Sequence, residues 1–152
     1  LSPWLSYNIS FMVSSIFCWQ TYVCLLTPIF PPTFTINIAP FAVFLNDDDK
    51  NYVEPDISVI CAPAKLTDKV CNGAPDWIIE IVSPGSRRMD YLVKLFKYRT
   101  SGVREYWIVD PEKNRILIYN FETEDTGDFT LEDTVKVGIY DDLSIDFSKL
   151  DF

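Results

Sequence analysis

The sequence predicts a mixed α/β fold, one central mixed β-sheet flanked by helices, in a single domain spanning residues 1–152. Three observations predict it. The elements read in the order helix, strands, helix, strands. Residues 77–82, Trp-Ile-Ile-Glu-Ile-Val, form an apolar run broken by one carboxylate, the signature of a strand buried on both faces. Prolines and glycines fall between the periodic segments, where they end elements.

The first 46 residues carry no Asp, Glu, Lys or Arg, and Asp47 is the first charge. Residues 9–27 read as a helix that is hydrophobic nearly all round, ended by Pro28 and the Pro31-Pro32 pair. Residues 9–30 reach the length of a membrane span, yet Ser10, Ser14, Ser15, Gln20, Thr21 and Thr27 interrupt them and no basic residue flanks them. Three readings stand open: a buried or partner-covered helix, a membrane-associated segment, or an N-terminus altered from a natural one. The chain lacks the positive start and clear cleavage site of a signal peptide.

Residues 33–45 alternate and are rich in β-formers, with Pro40 marking a bend or an edge. Residues 46–50 are a solvated turn and residues 56–61 a short strand. Residues 62–75, with Asn72-Gly73 and Pro75, read as loop. After 77–82, Ser83-Pro84-Gly85-Ser86 breaks the chain, and a helix runs over about 87–101 until Gly102 stops it. Leu92, Leu95 and Phe96 form the side of this helix expected to pack on the sheet, while Arg87, Tyr91, Lys94, Tyr98 and Ser101 share a polar and aromatic face pointing along the sheet's edge. Strands are expected at 104–110 and 115–121, then an acidic turn over 122–128, a strand over 129–137 and an alternating tail at 143–147.

Composition narrows the chemistry. No histidine is present, so Ser-His and Cys-His catalysis and His-ligated zinc are excluded. Cys18, Cys24, Cys61 and Cys71 form no CxxC and read as free thiols in a reducing, cytoplasmic compartment. The net charge of −9 speaks against a broadly basic nucleic-acid surface, but metal ions supply positive charge locally.

Glu80 stands out, because an ionised carboxylate in a buried strand is costly unless paired or metal-bound; a salt bridge or a solvent-reaching strand end is the plainer reading. Asp56 opens the strand at 56–61, where a turn or cap role is the plainer reading. If the two strands are neighbours, the carboxylates converge as Mg²⁺ ligands. Lys94 can point toward them, or it can be a solvated lysine paired with Asp90 at i,i+4. Arg87 and Arg88 at the helix start suit a phosphate.

The strings Val53-Glu-Pro-Asp-Ile-Ser-Val59, Pro75-Asp-Trp-Ile-Ile-Glu-Ile-Val-Ser-Pro84 and Asp90-Tyr-Leu-Val-Lys-Leu-Phe-Lys-Tyr-Arg-Thr-Ser-Gly-Val-Arg-Glu-Tyr-Trp-Ile-Val-Asp-Pro111 resemble the restriction endonuclease family of the Uma type, within the PD-(D/E)XK nuclease superfamily. The resemblance covers roughly residues 40–147. It implies a restriction-endonuclease-like fold and a metal-dependent endonuclease that hydrolyses DNA with Mg²⁺, or Mn²⁺ in its place. It implies that Asp56 and Glu80 are the metal-binding acids, with the Ile81 carbonyl a further ligand. The superfamily's lysine two residues after the second acid is here Val82, and Lys94 stands for it from the helix. Tyr98 would buttress that lysine or be a core tyrosine. Arg87 and Arg88 would meet substrate. Residues 1–35 do not resemble the family's charged first helix. A homodimer suits a cleavage enzyme acting on two strands. Two rivals are a non-catalytic binding module on the same fold and a membrane-tethered protein.

Overall fold

The computed structural model describes residues 34–46, 52–67 and 69–150. The helix expected over residues 9–27, with Cys18 and Cys24, lies outside them. A six-stranded mixed sheet forms the centre. Its strands are β1 (Thr35–Ile38), β4 (Ile57–Ile60), β6 (Trp77–Ile81), β7 (Glu105–Asp110), β8 (Arg115–Asn120) and β9 (Thr126–Phe129), side by side in that order. Only β6 and β7 run parallel, joined by the crossover helix α1; the other neighbours are antiparallel. Helix α1 is wound as π-helix over Met89–Lys94 and as α-helix over Leu95–Ser101. Gly102, at φ 91°, ends it in the left-handed region where glycine carries no Cβ penalty.

A small second sheet orders β3 (Tyr52–Val53), β2 (Ala42–Phe44) and β5 (Val70–Asn72). The alternating stretch at 33–45 is therefore two strands in two sheets, with the bend at a cis Ala39–Pro40 peptide between them. The expected loop at 62–75 contributes β5, which pairs parallel with β2. A hairpin of β10 (Thr134–Lys136) and β11 (Ser144–Asp146) follows the main sheet. The acidic turn expected over 122–128 is shorter than the sequence suggests, because β9 begins at Thr126, and the strand expected over 129–137 is split by a turn between β9 and β10.

Period-two alternation assigns each side chain of β6 and β7 to a face. Trp77, Ile79, Trp107 and Val109 point to one core with Val135, Val137, Leu143, Ile145 and Phe147 from the hairpin region. Ile78, Val82, Tyr106 and Ile108 point to the other, with Val43 of the small sheet and Tyr98 of α1. Trp77 and Trp107 meet edge to face at 5.0 Å, a contact worth about 1 kcal/mol beyond burial. On this first face Glu105 is fully buried, yet it accepts from Trp107 Nε1 and from the backbone N–H of Gly138 and Ile139. Those bonds tie the 137–139 segment to β7. A Cβ at Gly138 would stand 2.6 Å from Asn120 Nδ2 and 2.9 Å from Glu105 Oε2, so only glycine lets this backbone approach. Among the described residues one helix covers one face and the hairpin region the other, and no helix is long and apolar enough to cross a membrane.

The sheet-facing side of α1 differs from the sequence expectation. Leu92 and Phe96 are 61% and 70% exposed, with Met89 and Val93 beside them. The inward side carries Asp90, Lys94 and Tyr98, with Tyr91 and Leu95 flanking. The reason is the buried carboxylate beneath.

Candidate active site

Strands β4 and β6 are antiparallel neighbours with Ile57 opposite Ile79 and Ser58 opposite Ile78. One step further along this register sets Asp56 opposite Glu80. Because Ile57 and Ile79 face the hairpin core, Asp56 and Glu80 face the helix. Asp56 Oδ2 accepts from Ile81 N at 2.7 Å, which fixes the aspartate across the strand pair. Glu80 is buried, and its two oxygens are separately engaged. Oε1 accepts from the Tyr98 hydroxyl at 2.7 Å, and Oε2 stands 2.8 Å from Lys94 Nζ. Lys94 Nζ also stands 3.0 Å from Asp90 Oδ1.

Burial pushes the Glu80 carboxyl up to about 7; Lys94 and Tyr98 oppose the rise and Asp56 adds to it. Asp56 is also raised by burial, against the Ile81 N–H and the Lys94 charge. Burial pulls the Lys94 ammonium down, but Glu80 and Asp90 outweigh this and hold it above the ordinary lysine value. The site therefore holds three carboxylates, Asp56, Glu80 and Asp90, against one ammonium.

The winding of α1 makes this possible. In a uniform α-helix, residues eight apart such as Asp90 and Tyr98 sit about 80° apart round the axis. The π-wound first stretch, at about 4.4 residues per turn, brings that interval close to two whole turns. Asp90, Lys94 and Tyr98 then form one inward line. Tyr106 on β7 donates its hydroxyl to the Asp90 carbonyl at 3.1 Å, holding that stretch against the sheet.

A cation fits the donor set. It is all oxygen and carries more carboxylates than ammonium groups. Among the described residues no group of three or more His, Cys, Asp or Glu side chains is arranged to hold a metal ion. Two carboxylates with water and a carbonyl are, however, a sufficient set for Mg²⁺.

The sequence model of Uma2, a family described as "Putative restriction endonuclease", matches residues 28–145. The chain belongs to this family. The fold is shared with a crystal structure from Anabaena variabilis described as "a putative nuclease belonging to DUF820", at TM-score 0.63 and 19% identity over 84% of this chain and 74% of that one. No curated protein matches.

In this Uma2 member Val82, two residues after Glu80, is buried in the helix-side core, and its N–H donates to Val109 O. Lys94 reaches Glu80 from α1 instead, as the sequence placed it. Tyr98 is fully buried and donates to Glu80 rather than to Lys94 or toward an outer surface. Arg87 does not stand free at the helix start: it pairs with Asp110 at 3.3 Å and with Glu112 at 2.7 Å. Asp110 also accepts from the Tyr91 hydroxyl at 3.0 Å, so this cluster clamps the start of α1 to the end of β7. Arg88 is exposed and makes no ion pair among the described residues. Asp90 and Tyr106 were not singled out for the site by the sequence. The i,i+4 spacing of Asp90 from Lys94 was a signal for the first; nothing in the sequence marks the second.

Proposed function

We propose that this domain is a metal-dependent endonuclease that hydrolyses DNA phosphodiester bonds. The observation that carries the reading is the meeting of Asp56 and Glu80 across one strand pair with Lys94 on Glu80, and membership in Uma2 supports it. Asp56 and Glu80 would hold Mg²⁺, or Mn²⁺ in its place, with the Ile81 carbonyl as a further oxygen. The ion, when bound, lowers the proton affinity of the attacking water and offsets charge growing on the phosphate. Tyr98 fixes the rotamer of Glu80, so the carboxylate is oriented before substrate arrives. Lys94 orients the water or neutralises the phosphate oxygens. Arg88, exposed near the start of α1, would meet a backbone phosphate. The reading extends to a homodimer matched to two DNA strands. The free thiols of Cys61 and Cys71 suit a cytoplasmic setting.

Plasmid nicking with Mg²⁺ or Mn²⁺ tests it. Wild type should nick, and Asp56→Ala and Glu80→Ala should lose the activity; equal activity in all three removes the claim. The net charge of −9 and Val82 at the usual lysine position favour a second reading, a binding module that keeps the fold without catalysis. Mn²⁺ binding in calorimetry, lost in Glu80→Ala, together with nicking by the wild type would exclude it.

A further inference from the structure

We propose that Asp90 is a positioning residue that serves as the second anchor of Lys94, keeping the ammonium in the site when a cation takes the Glu80 oxygens. This rests on the cation reading of Asp56 and Glu80. Lys94 Nζ lies between two carboxylates, 2.8 Å from Glu80 Oε2 and 3.0 Å from Asp90 Oδ1. A cation on Glu80 competes with the ammonium for that oxygen, because two positive charges at one carboxylate repel. The Lys94 side chain is only 21% exposed, so the displaced ammonium needs a partner. Asp90 supplies it one turn away on the same helix, and the transfer needs only rotation of the lysine side chain.

Two features set this apart from an ordinary i,i+4 surface pair, which is worth little. Asp90 is 1% exposed, and Lys94 is its only ion-pair partner among the described residues. The π-wound stretch and the Tyr106 bond to the Asp90 carbonyl also hold Asp90 on the inward line with Lys94 and Tyr98, where a regular helix would set it about 80° from Tyr98. The arrangement costs regular helix geometry and exposes Leu92 and Phe96, and what it gains is a buried carboxylate beside Lys94 on the line that also carries Tyr98.

Mn²⁺ titration by calorimetry tests the inference in wild type, Asp90→Asn, Lys94→Met and the double variant, with thermal unfolding to establish that each is folded. Asp90→Asn should weaken Mn²⁺ binding roughly tenfold, because Lys94 then has only Glu80 and contests it. The double variant should bind Mn²⁺ as tightly as Lys94→Met, because Asp90 acts only through Lys94. Should Asp90→Asn fail to fold, the comparison of the double variant with Lys94→Met still decides, and weaker binding by the double variant overturns the inference. Unchanged Mn²⁺ affinity in Asp90→Asn overturns it as well. A wild type that binds no Mn²⁺ overturns the cation reading itself and this inference with it, an outcome distinct from the other two.

Discussion

Glu80 concentrates the physics of the site. Its carboxyl is pushed up to about 7, first by burial, so the folded metal-free protein holds a proton that the unfolded chain releases near 4.5. A raised carboxyl contributes stability that is fully present below the unfolded value and is lost as pH rises through the folded one. The metal-free wild type should therefore lose about 3 kcal/mol from this group between about pH 4.5 and 7. Asp56, raised in the same direction, adds to the trend. Urea unfolding across that window should show a steep decline in wild type and a flatter one in Glu80→Gln. Parallel curves would mean that Glu80 titrates as an ordinary carboxylate. At this scale the sequence was informative: one acid in an apolar run drew attention to Glu80, while Asp56 at a strand opening was paired with it only through the family resemblance.

Helix α1 is where sequence pattern and structure part. Its large apolar side chains, Leu92 and Phe96, face outward, so Leu92→Ala and Phe96→Ala should each change stability by no more than about 0.5 kcal/mol. Thermal denaturation checks this; a loss near 3 kcal/mol, the usual cost of emptying a core position, would restore the pattern-based face. The start of the helix is held by Asp110, which Arg87 and Tyr91 both contact. Burial raises the Asp110 carboxyl, but Arg87 and Tyr91 outweigh it and leave the group below its ordinary value. Its contribution is present above the ordinary carboxylate range and lost as pH falls through the lowered value. Asp110→Ala should cost about 2 kcal/mol at neutral pH, less than a fully buried pair because Arg87 is 33% exposed. The deficit should shrink in acid, as read by urea midpoints at pH 7 and in acid. The loop expected at 62–75 hides β5, a three-residue strand whose partner β2 lies far back in the chain, so no local periodicity marks it; the strand expected at 129–137 is broken by the turn between β9 and β10.

For the molecule as a whole, a ligand that binds only the folded state raises stability by mass action. With free Mn²⁺ at a hundredfold its dissociation constant, wild type should gain about 2.7 kcal/mol, and Glu80→Ala should gain none. Melting temperatures with and without Mn²⁺, and after chelation, check it. By itself the sequence determined the mixed sheet and the strands at 56–61, 77–82, 104–110 and 115–121, and it marked Glu80 as a charge inside an apolar run, because such a run and an end marked by Gly102 are local signals. Only the tertiary structure decided which side of α1 turns inward, how its first turn is wound, and that Asp90 joins the site. The deciding balance is energetic. Turning Leu92 and Phe96 outward forfeits about 2 kcal/mol each, whereas leaving Glu80 buried without Lys94 and Tyr98 costs several kcal/mol. That cost exists only once Glu80 is buried on the helix-side face of the assembled sheet, so it cannot be read along the helix alone.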